Sequence, residues 1–278
     1  MPSPRLAIAV AAAAVAASPP PARAGDGPIQ DNSFIIEEAY NQEPGVIQHI
    51  STFNRSARSG AWAYSFTEEW PVLGQRHQAS ATFCLAGLPQ RDAAGVGDLA
   101  LNYRVQAVGD GEAPVALAPR LTLLLPTGDD SRGLGAGGAG VQVNLPMSVV
   151  VFSGVVAHSN LGGTYVPSAR AGDGSRGRLA AFAAGQSLVW LAHHRFNVVV
   201  EALYTSTRIA APSGTERSET LTLNPGIRAA FDFAGGLQVV PGLSAPIGLG
   251  PSRGERGFFL YLSFEHPFGL AGPTDGGS

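Results

Sequence analysis

Charged residues are scarce in this sequence. Aspartate, glutamate, lysine and arginine together make up 14% of the 278 residues, whereas about 25% is usual for soluble domains. The net charge of −3 gives no sign of a nucleic-acid-binding surface. Because Cys84 is the single cysteine, an internal disulfide and a metal site built from several thiolates are excluded. No run of 18 apolar residues occurs after residue 24, which argues against a transmembrane helix.

The first 24 residues have the pattern of a secretory signal peptide. Arg5 precedes an apolar run at residues 6–17, which is too short to span a bilayer. Residues 22–24 read Ala-Arg-Ala and fit the small residues that precede a cleavage site. We therefore expect residues 1–24 to be a signal peptide and the mature chain to begin near residue 25.

Glycine is abundant, with 36 residues, and several stretches alternate between apolar and polar side chains. The clearest alternation lies at residues 99–106, 115–125 and 141–148. Successive side chains of a strand point to opposite faces. Strands with one apolar and one polar face, in a chain with few charges, are typical of a β-barrel with lipid outside and water inside.

Twelve strand candidates follow residue 45. An even number is usual for bacterial single-chain barrels, which have long loops outside and short turns in the periplasm. The longest predicted loops are residues 127–138 and 167–177, which puts both termini in the periplasm. The fold prediction is therefore all-β: a transmembrane antiparallel up-and-down β-barrel of about 12 strands, covering residues 46–268 and located in the bacterial outer membrane. The candidates are residues 46–55, 61–72, 76–86, 96–107, 114–126, 139–150, 152–165, 178–191, 195–209, 217–231, 235–248 and 256–267.

A soluble β-sandwich is the alternative fold. It would place aromatic residues in the middle of strands, where the core of a sandwich lies. In this sequence, Trp190, Phe196, Phe231 and Phe233 flank predicted periplasmic turns instead. Aromatic residues at the ends of strands match the girdles of membrane barrels, so the barrel is favoured.

The segments on either side of the predicted barrel do not alternate. Asp31, Asn32 and Ser33 could cap a short helix at residues 34–40. Residues 25–45 are predicted to be an N-terminal segment that lies in the periplasm or plugs the barrel mouth. Residues 269–278 form a polar C-terminal tail.

Several sequence blocks resemble one bacterial outer-membrane family, named after a putative meta-cleavage pathway of phenol degradation. Its members are generally labelled as transporters. The resemblance implies an outer-membrane barrel and the uptake of small compounds, aromatic ones among them. The blocks that carry it are GVGDLALNYR (95–104), PRLTLLLPTGD (119–129), GAGVQVNLPMS (138–148) and AHSNLGGTY (157–165), together with the early stretches at residues 31–53, 64–72 and 74–78.

A set of polar and charged side chains is predicted on the inner face of the barrel. On the lipid face an arginine would cost about 2–4 kcal/mol at the membrane midplane, whereas a wet or hydrogen-bonded lumen removes that cost. The set could line a pore, or it could form a salt-bridge network that fills a narrow barrel. The predicted lumen-lining residues are Glu69, Arg76, Asp98, Asn102, Arg104, Arg120, Asn144, His158, Asn160, Glu201, Asn224, Arg228 and Glu265.

The predicted function is passive, porin-like transport of small molecules, without catalysis, cofactor or metal. One alternative is a closed structural barrel whose extracellular loops bind a partner. Another is an outer-membrane lipid hydrolase. His158 and Ser159 are adjacent, however, and would point to opposite faces of a strand, so they cannot form a nucleophile–base pair. The six histidines show no metal-ligand spacing on a shared face. Expected partners are outer-membrane lipid and lipopolysaccharide, the barrel assembly machinery and a small-molecule solute, but no nucleic acid.

Overall fold

The alternating stretches after residue 45 form one closed antiparallel β-sheet in the computed structural model, which describes residues 33–110 and 113–268. The predicted signal peptide and C-terminal tail lie outside the described residues. The strand segments in chain order are β1 (Val46–Ser56), β2 (Trp62–Pro71), β3 (His77–Leu88), β4 (Ala93–Val96), β5 (Leu99–Val105), β6 (Val115–Leu117), β7 (Arg120–Leu125), β8 (Gly140–Asn144), β9 (Met147–Phe152), β10 (Val155–Arg170), β11 (Arg176–His193), β12 (Phe196–Ala211), β13 (Gly214–Ala229), β14 (Phe231–Asp232), β15 (Gln238–Ser244), β16 (Ile247–Leu249) and β17 (Gly257–Pro267).

Twelve barrel strands make up this sheet, because some of them consist of two consecutive segments. The divided strands are β4 with β5, β6 with β7, β8 with β9, β13 with β14, and β15 with β16. Pro119 lies between β6 and β7, and Pro146 lies between β8 and β9. Since proline has no N–H to donate, it interrupts the ladder at these two positions. The prediction of an all-β up-and-down barrel is confirmed.

The first and last strands close the barrel. β1 pairs with β17 along its whole length, beginning with Val46 opposite Pro267, and its other edge pairs with β2. A closed sheet leaves no unpaired edge, which is what a β-structure inside lipid requires. Whereas the longest connection between described strands, at residues 126–139, lies at the opposite rim, the rim where Val46 and Pro267 meet carries two-residue turns at residues 153–154 and 194–195. We call it the periplasmic rim, because short turns face the periplasm in such barrels.

Apolar side chains cover the outside of the barrel. On β7, Leu121 and Leu123 are each 48% exposed, whereas Thr122 between them is 1% exposed. Near the periplasmic rim, Trp190 and Phe196 are exposed as well. An apolar exterior with aromatic residues at its margin fits a barrel surrounded by lipid. Among the described residues, the structure contains no helix with the length and apolar character needed to cross a membrane.

Strands β10–β13 extend farther from the periplasmic rim than the sequence predicted. The loop predicted at residues 167–177 contains only residues 171–175, and residues 212–213 alone join β12 to β13. The prediction missed these extensions because polar and charged residues replace apolar ones on their outward face. Residues 126–139 form the longest connection between described strands.

The two faces of β7 can be tested with one introduced side chain. Leu123→Arg should impair assembly, because the guanidinium would enter hydrocarbon at a cost of about 2–4 kcal/mol at the midplane. Thr122→Arg is the matched control, since the neighbouring side chain points into the lumen. Heat-modifiable migration on gels measures the folded fraction. Equal loss with both variants would contradict this assignment of faces.

Candidate functional site

The chain before the first strand enters the barrel lumen. Residues 33–42 are all buried except Ile35, which is partly buried. We call residues 33–45 the plug segment. It contains bends and no helix, so the helix predicted at residues 34–40 is wrong. The physical reason is that side chains of the barrel wall bind backbone groups along the segment, among them the Ala39 N–H, which a helix would donate to the Ile35 carbonyl but which here bonds Ser148 Oγ.

Glu201 on β12 binds three successive backbone N–H groups of the plug segment. Its Oε1 accepts hydrogen bonds from the N–H groups of Phe34 (2.9 Å), Ile35 (3.1 Å) and Ile36 (3.1 Å). Asn224 on β13 donates to the other carboxylate oxygen at 2.8 Å. Consecutive N–H groups that converge on one anion form a favourable anion-binding geometry. Glu201 therefore fixes the first part of the plug segment against the wall.

Neutral polar side chains hold the rest of the backbone. Asn160 bonds both main-chain groups of Glu37: its Oδ1 accepts from the N–H at 2.8 Å, and its Nδ2 donates to the carbonyl at 2.5 Å. Three further N–H groups find acceptors on β9, on β3 and directly after β5, so the segment follows the inner wall around the barrel. These bonds are Ala39 N–H to Ser148 Oγ (2.8 Å), Asn41 N–H to Gln106 Oε1 (3.0 Å) and Gln42 N–H to Gln78 Oε1 (2.7 Å).

Two buried arginines of the wall face the acidic side chains of the plug segment. Arg104 lies 3.7 Å from the carboxylate of Glu37 and 4.0 Å from that of Glu38. It also donates to Asn41 Oδ1 at 2.8 Å and to main-chain carbonyls of the segment. Nε of Arg120 lies 3.3 Å from Oε1 of Glu37. Both arginines are less than 10% exposed, so these charges interact in a largely water-free environment.

Glycines of the wall make room for the apolar side chains of the plug segment. The ring of Phe34 lies against Gly226 and Gly242, where an added Cβ would meet ring atoms, and Ile36 lies in the same way against Gly185. Phe34 also makes an edge contact with the ring of Tyr261, with centroids 6.0 Å apart. The absence of Cβ atoms at these positions allows close approach, so the wall is shaped for this segment.

A cavity of about 1020 Å³, including space continuous with solvent, lies beside Arg120, on the side away from the plug segment. We call it the outer cavity. Apolar groups form most of its lining, among them Ala86 and Leu179. Its polar lining includes Asn102, Thr122 and Gln142, and Nη2 of Arg120 donates to Oε1 of Gln142 at 3.0 Å. The outer cavity is thus an apolar space with a few polar groups beside the plug segment.

The loop at residues 126–139 folds over the outer cavity and contributes Leu134 to its lining. Asp98 holds the loop in place, because its carboxylate accepts hydrogen bonds from the N–H groups of Gly128 (3.0 Å) and Ala136 (2.7 Å). Asp130 in the loop forms an ion pair with Arg176 at 2.9 Å.

The predicted lumen-lining residues occupy different parts of this site. Asp98 and Asn102 line the outer cavity. Arg76 is exposed in the turn before β3, because that strand begins only at His77, so its predicted lumen position is wrong. Those in contact with the plug segment are Arg104, Arg120, Asn144, Asn160 and Glu201. Those buried in the wall are Glu69, His158, Asn224, Arg228 and Glu265, of which His158 also makes an edge contact with the ring of Tyr40 in the plug segment.

The prediction missed the glutamines and serines that bind the plug segment. The buried residues that were not predicted are Gln48, Gln78, Gln106, Ser148 and Ser187. Four of them lie on strands at the inward register and Gln106 directly follows β5, so counting every polar residue there, rather than mainly the charged ones and the asparagines, could have found them. The sequence of the plug segment also indicates burial, because residues 34–40 are apolar apart from two glutamates.

The surroundings of His158 bear on the alternative of a lipid hydrolase. His158 bonds to Ser148 through Nδ1 at 2.8 Å, while Ser159 points outward to Gln186. Both His158 and Ser148 are fully buried, so a lipid substrate could not reach them in this conformation. Within the described part of the chain, no three histidine, cysteine or acidic residues group as a metal site.

A closed barrel with an apolar exterior defines the class of this protein: a transmembrane β-barrel of the bacterial outer membrane. An outer-membrane channel from Pseudomonas putida F1 has a similar fold, with a TM-score of 0.61 and 16% identity over 83% of this chain and 98% of that one. The NanC porin gives a TM-score of 0.55 and 8% identity over 80% of this chain and 100% of that one.

At these identities the likeness concerns the fold alone. No family model matches the chain, and no curated protein matches it. The resemblance to the phenol-degradation family therefore stays a prediction from the sequence.

Proposed function

We propose that this protein is a passive channel for small apolar molecules, aromatic ones among them. The observation that carries the proposal is the outer cavity. Binding sites for small molecules are typically concave and mostly apolar, with a few polar groups that fix orientation. The outer cavity combines these properties with a place in the lumen, next to the segment that closes it.

Passage through the barrel requires the plug segment to move. In the conformation described here, residues 33–42 fill the space between the outer cavity and the periplasmic rim. Hydrogen bonds to wall side chains hold most of that segment, and water can replace such bonds at modest net cost once it enters. A solute in the outer cavity would gain access to the periplasm when the segment shifts along the wall.

Two alanines on β11 provide a matched test. Ala181 lines the outer cavity, whereas Ala180 is exposed on the outward face. Intact cells that produce the wild-type barrel should take up the apolar fluorophore N-phenyl-1-naphthylamine faster than cells without it. Ala181→Trp should return uptake to the level of barrel-free cells, because the indole fills the cavity. Ala180→Trp should leave uptake unchanged, since its indole points away from the lumen.

The rival function is a closed structural barrel with partner-binding loops. It requires equal fluorophore uptake with and without the wild-type barrel, at matched amounts of folded protein on gels. That result, or equal uptake by the two tryptophan variants, would overturn the proposal.

A further inference from the structure

Three arginines lie together on the outward face of the extended strands β11–β13. Arg178, Arg208 and Arg217 are all exposed. Arg208 lies directly opposite Arg217 in the β12–β13 ladder. On β11, Ala180 lies opposite Arg208, and Arg178 is two residues from Ala180 on the same face, so it lies diagonal to Arg208. The neighbours of Arg208 on its own strand, Thr207 and Ile209, are buried, which confirms that the arginine points away from the lumen. We call these three residues the arginine patch.

No acidic partner neutralises the arginine patch within the described part of the chain. None of its members forms an ion pair there, although arginines elsewhere in the barrel do. Glu219, the nearby acid on this face of β13, lies opposite Ser206 and makes no ion pair with the three arginines. Like charges directly opposite each other destabilise a ladder. An external anion between Arg208 and Arg217 would offset that repulsion.

The arginine patch lies just beyond the apolar band of the exterior. Phe196 marks the periplasmic end of β12, and Tyr204 follows it by eight residues on the same outward face. A rise of about 3.3 Å per residue and a tilt of about 40° place Tyr204 roughly 20 Å across the bilayer and Arg208 roughly 30 Å across it. Since the apolar band of such barrels is about 25 Å tall, Arg208 reaches the level of the lipid headgroups of the outer leaflet.

We propose that the arginine patch binds the phosphate groups of lipid A, the lipid anchor of lipopolysaccharide, in the outer leaflet. Arginine presents a planar fork of donors that matches phosphate oxygens, and charge-assisted bonds of this kind are stronger than neutral ones. Lipid A carries its phosphates at the headgroup level and its acyl chains below it, where the aromatic side chains of Phe182 and Tyr204 lie on the same wall. This binding site is independent of transport through the lumen.

The test measures binding of purified, lipopolysaccharide-free barrel to lipid A by native mass spectrometry. The probes are diphosphoryl lipid A, its dephosphorylated form and phosphatidylglycerol. The wild type should bind diphosphoryl lipid A on the order of ten-fold more tightly than the dephosphorylated form, as bonds between charged partners suggest. The triple variant R178Q/R208Q/R217Q should lose that preference. Arg253→Gln, which removes an exposed arginine from a connecting loop, should keep it.

Two controls separate a loss of binding from a loss of folding. Heat-modifiable migration on gels must show that the triple variant is folded, and the single variant Arg208→Gln should show an intermediate loss of binding if the triple variant folds poorly. A wild type that ignores the phosphates, or a folded triple variant that still distinguishes them, would overturn the proposal. Equal affinity for phosphatidylglycerol would also overturn it, since the site would then not be one for lipid A.

Discussion

A barrel without residues 33–42 is expected to conduct ions on the order of ten times better than the full chain. Small barrels with filled interiors do not conduct appreciably, whereas wider ones hold an aqueous channel. A barrel of twelve strands lies between these limits, and here the plug segment occupies its lumen. Single-channel recordings in planar bilayers measure the difference, and heat-modifiable migration shows whether the shortened chain still forms a barrel.

Adding the missing segment back in trans provides the control for this experiment. A synthetic peptide of residues 33–45 should lower the conductance of the shortened barrel, because the wall keeps its acceptors Glu201 and Asn160. A peptide with the same composition in scrambled order should not. If the shortened and full-length chains conduct equally, then the plug segment does not close the lumen.

Arg104→Ala should produce the largest loss of stability among single substitutions in the lumen. The variant leaves Glu37 and Glu38 buried without the guanidinium that faces both of them. Removing one partner of a buried ion pair typically costs about 3–5 kcal/mol. Urea unfolding, followed by heat-modifiable migration, measures the change.

Arg58→Ala is the matched control for that substitution. Arg58 also forms an ion pair, with Glu255 at 3.3 Å, but their side chains are 66% and 43% exposed. Exposed pairs contribute about 0–1 kcal/mol, so little change is expected. If Arg104→Ala instead keeps its stability and only makes the pore more selective for cations, then the lumen around it is wet and conducting rather than filled.

Sequence periodicity predicted the barrel because its exterior and interior obey one simple rule. Leu121 and Leu123 face lipid while Arg120 and Thr122 face the lumen, so the period of two could be counted without further information. This alternation ends where the outward side chains no longer contact lipid. Beyond the apolar band, outward positions such as Arg176 and Thr215 are polar, and the ends of strands there look like loops.

The contents of the lumen could be predicted only in part. Asn160 and Glu201 were placed inward by register, but their partners in the plug segment lie more than 100 residues away in the sequence. No local pattern links residues so far apart. The helix predicted at residues 34–40 failed for the same reason, since Ser148 offers the Ala39 N–H an acceptor that only the folded barrel supplies.

The position of the plug segment ahead of β1 constrains the order of assembly. Its hydrogen-bonding partners are spread from β1 to β12, so they surround it only after most of the sheet has curled. Once β1 pairs with β17 along its whole length, the N-terminal residues can reach the interior only by threading through a rim. Docking of the plug segment before β1 pairs with β17 avoids that step. Such long-range contacts are formed late and slowly, so the pairing of β1 with β17 and the burial of Glu37 and Glu38 should occur in one cooperative event.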